Sequence, residues 1–234
     1  MKRGDLRHAI DDFSEAIRLE PKNAEAYNNR GVCYTDMGDL DRAIGDLDEA
    51  VRLKPEYAEG LYDRGRAYSG KGEYARAIAD FTEAIRLKPE FPDAYCWRGF
   101  AHVYMGEADK AVADHSEAIR LKPDFLQAHM GRGNAHLLGG KIDQAIEDYT
   151  KAIRIDPNCA DAYVTRAAAY WKSGSTDAAL RDCNRAIQIQ PSSARPYLVR
   201  ANIYEDMGEK GKSDEDFAHA QRLAAPLGDV KADR

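Results

Sequence analysis

Apolar and small residues return along this chain every 34 positions, and the rest of the sequence is arranged on that period. Prolines at Pro21, Pro55, Pro89, Pro123, Pro157 and Pro191 mark it, with glycines at Gly4, Gly38, Gly72, Gly106, Gly140, Gly174 and Gly208 in step. Fixed-period self-similarity is the signature of a stacked repeat architecture. With the proline as position 32, the full repeats are 24–57, 58–91, 92–125, 126–159, 160–193 and 194–227. Residues 1–23 are the second half of an earlier repeat, and 228–234 form a tail.

Each repeat holds two helical stretches separated by the glycine. The first, helix A, carries large rings at positions 4 and 11, as in Tyr27 with Tyr34, Tyr163 with Tyr170 and Tyr197 with Tyr204. A small residue stands between them at position 8: Gly31, Gly65, Gly99, Gly133, Ala167 and Ala201. Intervals of three, four and seven put these positions on one helical face, where a small residue admits a neighbouring helix. The glycine at position 15 can take the left-handed conformation that ends a helix. Acidic Asp39, Glu73, Glu107 and Glu209 follow it, where the next helix's N-terminus favours negative charge. Helix B carries alanine at position 27 throughout, from Ala16 to Ala220, and a small residue at position 20, with Ser213 in place of alanine. Proline, lacking an N–H, then stops it.

An aromatic, a small residue, an aromatic, then alanine, a large apolar residue, alanine and proline on a 34-residue period resemble the tetratricopeptide repeat. The resemblance covers nearly the whole chain. It implies an all-α fold, an α-solenoid in which antiparallel helix pairs stack into a right-handed superhelix with the A helices on the concave side. It also implies binding of a protein or peptide partner, as a tendency of the family.

One departure from the family pattern is periodic. Position 7, commonly leucine, is Arg30, Arg64, Arg98, Arg132, Arg166 and Arg200, and position 23 is aspartate from Asp12 to Asp216. Opposite charges on one period predict a ladder of Arg–Asp pairs, either within a repeat or between neighbours, and Arg132→Leu is expected to loosen the array. Removing one partner of a buried pair costs roughly 3–5 kcal/mol.

Positions 2, 5, 6, 9, 12 and 13 of helix A tend to face the groove in this family. Carried over, they give a polar, acidic end with Glu25, Asn28, Asn29, Asp36, Glu59, Tyr62, Asp63 and Arg66. An apolar stretch follows with Cys96, Trp97, Phe100, Val103, Tyr104, Met130, Asn134, Leu137, Leu138, Val164 and Trp171. The candidate groove residues are Tyr62, Arg66, Trp97, Phe100, Tyr104, Met130, Asn134, Leu137, Leu138, Val164 and Trp171, with Asn134 offering an amide to a partner's backbone. Aromatic and methionine side chains on an accessible surface are typical anchors. The alternative is that they bury themselves against the adjacent A helix. The family's clamp for C-terminal carboxylates is not matched, since Asn28, Val32, Asp63, Asp93 and Trp97 stand at its positions. A groove with asparagine at every position 6 is not matched either, as only Asn29 fits.

Composition narrows the function classes. The net charge of −6, without a basic stripe, argues against nucleic-acid binding. No apolar run reaches the roughly 20 residues that cross a bilayer, so no membrane insertion is expected. Cys33, Cys96, Cys159 and Cys183 lack paired spacing and predict free thiols in a reducing, cytoplasmic compartment. His102, His115, His129 and His136 take core positions of the repeat, but without HxxxH spacing no metal or other cofactor is expected. No nucleophile elbow, P-loop, HExxH or dinucleotide fingerprint is present, so no catalytic residue is assigned. The expectation is a non-catalytic scaffold that binds a partner segment in its groove. The alternatives are a module self-associating through its ends, where Leu6, Ile10, Phe13 and Ile17 do not make a polar cap, or a regulatory fragment of a larger enzyme.

Overall fold

Small residues and prolines set the geometry of this chain. The computed structural model describes residues 3–224, and the expected tail 228–234 lies outside them. Thirteen helices are found among the described residues, and no strand. In order they are α1 (Arg3–Leu19), α2 (Ala24–Met37), α3 (Leu40–Leu53), α4 (Ala58–Gly70), α5 (Tyr74–Leu87), α6 (Pro92–Tyr104), α7 (Ala108–Leu121), α8 (Leu126–Leu138), α9 (Ile142–Ile155), α10 (Ala160–Lys172), α11 (Thr176–Ile189), α12 (Ala194–Asp206) and α13 (Lys210–Ala224). Even-numbered helices are A helices and odd-numbered ones B helices. The fold is an all-α repeat of helix pairs. It divides into two compact units, Met1–Gly131 and Arg132–Arg234.

The punctuation acts as the spacing predicts. Gly38 has φ 81° and its five periodic equivalents have φ between 73° and 79°, a region where a side chain would be strained. The residue after each glycine donates its N–H back to position 11, as Asp39 does to the Tyr34 carbonyl at 2.9 Å, which closes the A helix. Helices α3, α5, α7, α9 and α11 end two residues before their prolines, because the residue preceding proline is steered out of helical conformation. Asp39 caps α3 by accepting from the Arg42 N–H at 3.3 Å.

Packing depends on matched small and large residues. Position 20 and 27 alanines from Ala43 to Ala186 are fully buried, so helices approach closely there. Position 8 faces position 24 of the same repeat. A Cβ added at Gly31, Gly65, Gly99 or Gly133 would lie 2.6–2.8 Å from Leu47, Phe81, His115 or Tyr149. Ala167 is tolerated where position 24 is the smaller Cys183, and both are fully buried in one cluster. The volume rule explains glycine in four repeats and alanine in a fifth, while the sixth departs from it with Ala201 at position 8 and Phe217 at position 24.

The Arg–Asp ladder resolves into a pattern with two kinds of rung. Each arginine grips the aspartate 16 residues on in its own repeat with two parallel bonds. For Arg30 these are Nε to Asp46 Oδ2 and Nη2 to Asp46 Oδ1, both 2.7 Å. Arg64 with Asp80, Arg98 with Asp114, Arg132 with Asp148, Arg166 with Asp182 and Arg200 with Asp216 repeat the arrangement. The remaining Nη1 then reaches back 16 residues to position 25 of the preceding B helix. From Arg30, Arg64, Arg98, Arg166 and Arg200 it donates to Ser14 Oγ, Asp48 Oδ1, Thr82 Oγ1, Thr150 Oγ1 and Asn184 Oδ1 respectively. One guanidinium therefore joins three helices.

Candidate functional site

The A helices of the N-terminal unit touch one another directly, α2 with α4 and α4 with α6. Side chains at position 5 meet position 6 of the next A helix, 35 residues on. Asn28 Nδ2 donates to Asp63 Oδ2 at 3.0 Å on this spacing, and Tyr62 and Trp97 pack against the same core cluster of Tyr68, Ala77 and Phe81.

Above this seam lies a cavity of about 280 Å³. Thr35 at the end of α2 and Leu40 at the start of α3 form one side. Trp97, Phe100 and Tyr104 of α6 form the opposite wall, each about one turn from the last. Tyr74, the first residue of α5, stacks on Tyr104 with centroids 4.7 Å apart and planes parallel within 1°. Trp97 meets Phe100 edge-on at 6.2 Å. Gly70 closes α4 between the two sides. It occupies position 13, where other repeats carry Asp36, Tyr104, Leu138, Lys172 and Asp206. The missing side chain leaves the space open, and a Cβ there would lie 3.2 Å from Leu40.

Arg66 lines the same cavity, and its charge is already engaged. Its Cζ lies 5.8 Å from the Tyr62 ring centroid and 5.7 Å from that of Trp97. Its guanidinium stands 3.4 Å from Asp63 and 3.7 Å from Asp36. Burial pushes the Asp63 carboxyl above the usual range, opposed by the bonds from Asn28 and Arg66. Burial also pushes the Tyr62 phenol up to about 12, so it stays neutral and packs as a ring. At the outer edge Tyr104 is 70% exposed, and Met105, next in the chain, is half exposed.

The expected groove residues therefore separate. Arg66, Trp97, Phe100 and Tyr104 converge on the cavity. Tyr62 lies beneath it, its ring against Phe81 and Phe91. Met130 on α8 is half-buried. In the C-terminal unit, Leu137 is half-buried and Leu138 exposed. Asn134 turns its Oδ1 to the buried Tyr149 hydroxyl, which donates at 2.7 Å. Trp171 packs its ring against the Ala167, Cys183 and Ile203 cluster and donates Nε1–H to Asp206 at 2.8 Å.

Val164 corrects the expectation. It is 2% exposed and packs with Ala160, Ala186 and Val199, so it is core and not groove surface. The reason is the 35-residue seam, because Val164 at position 5 meets Val199 at position 6 of the following A helix. Cys96 is buried too, in a cluster with Ala118, Phe125 and Ala128. Leu40, Gly70 and Tyr74 had escaped the sequence reading. Their signal was a pair of opposite volume changes, glycine at position 13 beside tyrosine at position 17 of one repeat.

Among the described residues no group of histidine, cysteine and carboxylate side chains has the arrangement of a metal site. The core histidines have local neighbours instead, and His115 meets Phe100 edge-on at 4.9 Å. His102 Nδ1 lies 2.6 Å from Glu107, His129 Nε2 2.9 Å from the Pro123 carbonyl, and His136 Nε2 3.6 Å from Asp148. The four cysteines are free, and burial pushes the Cys96 and Cys183 thiols up to about 12. No helix among the described residues is long and apolar enough to cross a membrane.

Comparison with known proteins places this geometry. A family model described as TPR repeat matches residues 1–38, 65–106 and 133–174. Two described as tetratricopeptide repeat match 24–57, and 92–125, 160–193 and 194–226. The chain belongs to the tetratricopeptide repeat family. No curated protein matched it. Among solved structures, MamA is similar at 32% identity over 68% of this chain and 92% of its own, with a TM-score of 0.61. YrrB, described as a TPR protein with an unusual peptide-binding site, is similar at 26% identity over 76% of this chain and 92% of its own, with a TM-score of 0.61. A tetratricopeptide repeat protein from Parabacteroides merdae shares the fold at 22% identity, with 96% of this chain and 89% of its own covered and a TM-score of 0.77.

Proposed function

We propose that this chain is a non-catalytic scaffold that holds a peptide or helical segment of a partner protein on the A-helix face, anchored in the cavity of the N-terminal unit. The observation that carries the reading is an open aromatic cavity bordered by Tyr104, a large side chain that the fold leaves 70% exposed. Apolar anchors filling such pockets supply most of the energy of protein interfaces. The peptide-binding site of YrrB, a relative at 26% identity, supports the same use of the fold. Four free thiols suit a reducing compartment such as the cytoplasm.

The test is site-directed photocrosslinking in the source cell. A benzoylphenylalanine at Tyr104 is expected to capture a protein that the same residue at Arg86, exposed on the B-helix α5, does not. Tyr104→Ala, at a position too exposed to carry the fold, is expected to weaken that partner by about tenfold. Equal capture from both positions would move the binding surface away from the A helices.

A further inference from the structure

The chemistry around the cavity also selects what enters it. We infer that the cavity takes one large apolar side chain, aromatic or branched, from a segment that carries lysine or arginine within a turn of that anchor; this rests on the interaction reading above. Volume is the first argument. Drug-sized ligands occupy pockets of roughly 300–1,000 Å³, and this one, at about 280 Å³, falls just below that range. It fits a single side chain. The four rings of Tyr74, Trp97, Phe100 and Tyr104 make its walls apolar.

Charge is the second argument. Arg66 is the one cation among the cavity's lining residues, and it cannot serve as a carboxylate receptor. It is held against two rings and shared by Asp36 and Asp63. Two carboxylates to one guanidinium leave a net negative charge beside Arg66, on the Asp36 side, where the side chain is 47% exposed. The nearby cations add no surplus to offset it. Lys71 lies 2.8 Å from Asp41 and 3.5 Å from Glu73, Glu73 is also bonded by Arg76 at 2.7 Å, and Arg42 pairs with Asp39. An acidic segment would add a third carboxylate to the one guanidinium that Asp36 and Asp63 already share, whereas a basic one would balance the excess. Complementary charge of this kind favours the right partner and disfavours the wrong one.

The probe is a random twelve-residue peptide library displayed on phage and selected on the immobilised full chain, with counter-selection on the Tyr104→Ala variant. A second counter-selection on Gly70→Phe, which fills the cavity from its floor, guards against a wall variant that merely rearranges. The expected consensus is an aromatic or branched residue with lysine or arginine one to four positions away. For a labelled peptide of that consensus, anchor→Ala is expected to weaken binding about tenfold or more. Lys→Glu should weaken it roughly two- to fivefold, the range of an exposed ion pair, and Asp36→Lys should reverse that preference. Peptides that need Tyr104 but are acidic, or indifferent to Asp36→Lys, would overturn the inference and leave the interaction reading standing. If no Tyr104-dependent peptide is enriched, the two fall together.

Discussion

Arg132→Leu is expected to cost about 3 kcal/mol and to lower the unfolding midpoint of the 234-residue chain by roughly 6–12 °C. In the native unit the Arg132 Nε lies 3.0 Å from Asp148 Oδ2 and its Nη2 2.7 Å from Oδ1. The aspartate side chain is 6% exposed and the arginine 26%. Loss of the guanidinium strands a buried carboxylate, which is the expensive half of a broken pair. The figure sits at the low end of the range for buried pairs because Arg132 is a quarter exposed. Arg132→Leu/Asp148→Leu should recover most of the loss, since an apolar pair of similar size avoids the stranded charge.

The same substitution should change the pH dependence through His136, whose Nε2 lies 3.6 Å from Asp148. In the wild type, burial holds the His136 imidazole below its ordinary 6.5, with Asp148 opposing and Arg132 assisting. A lowered histidine contributes stability that is present above 6.5 and lost as pH falls toward its folded value. Without Arg132 the imidazole faces a carboxylate with no competing guanidinium, and its affinity for a proton rises. Protonation then compensates Asp148, so the difference between variant and wild type should shrink from pH 8 to pH 5.5. Urea unfolding at the two pH values checks this, with amide exchange over Ile142–Ile155 locating the loss. A difference that stays constant with pH would show that His136 does not answer to the pair.

Much of this architecture was legible because each repeat states the same physics again. A glycine with φ 81° at Gly38 is one observation in space, but its recurrence every 34 residues is visible in the sequence. The ladder was legible as a set of partners and not as a topology. Periodicity pairs position 7 with position 23, yet 16 residues forward in one repeat and 18 back to the preceding one are both short enough to bridge. Geometry chose the forward pair and gave the third arginine nitrogen to position 25, whose Ser14, Asp48, Thr82, Thr150 and Asn184 share only an acceptor oxygen. A set so varied in residue type carries no periodic signal.

The site was legible only by halves. Trp97, Phe100 and Tyr104 stand out as large apolar residues off the core face of helix A. Val164 and Trp171 stand out for the same reason, but the seam between successive A helices absorbs them. Val164 at position 5 is covered by Val199 at position 6 of the next A helix, and Trp171 at position 12 is fixed by Asp206 at position 13. Leu198, at position 5 with no following A helix among the described residues, is 39% exposed. The helical wheel of one repeat cannot show a contact whose other half lies 35 residues away.

Gly131→Ala is the sharpest test of how tightly that repeat packing is tuned. The imidazole of His115 is fully buried and lies between two glycines. A Cβ at Gly99 would come 2.8 Å from its Nε2, and one at Gly131 would come 2.3 Å from its Cε1. His115 also meets Phe100 edge-on at 4.9 Å, so the ring has little room to retreat without moving a wall of the cavity. On helix propensity alone the substitution should stabilise α8, since alanine is better than glycine by about 0.8–1 kcal/mol. The overlap is of the kind that costs about 1–3 kcal/mol and occasionally more, and at 2.3 Å it should reach the upper end. The net expectation is a loss of roughly 2 kcal/mol in chemical denaturation. Gly131→Ala/His115→Cys, which copies the buried thiol that Cys183 places at position 24, should restore most of it. Gly45→Ala, at a helical glycine with open space around its Cβ, should instead gain stability by its propensity. If Gly131→Ala and Gly45→Ala shift the midpoint in the same direction, the clash with His115 does not govern this packing.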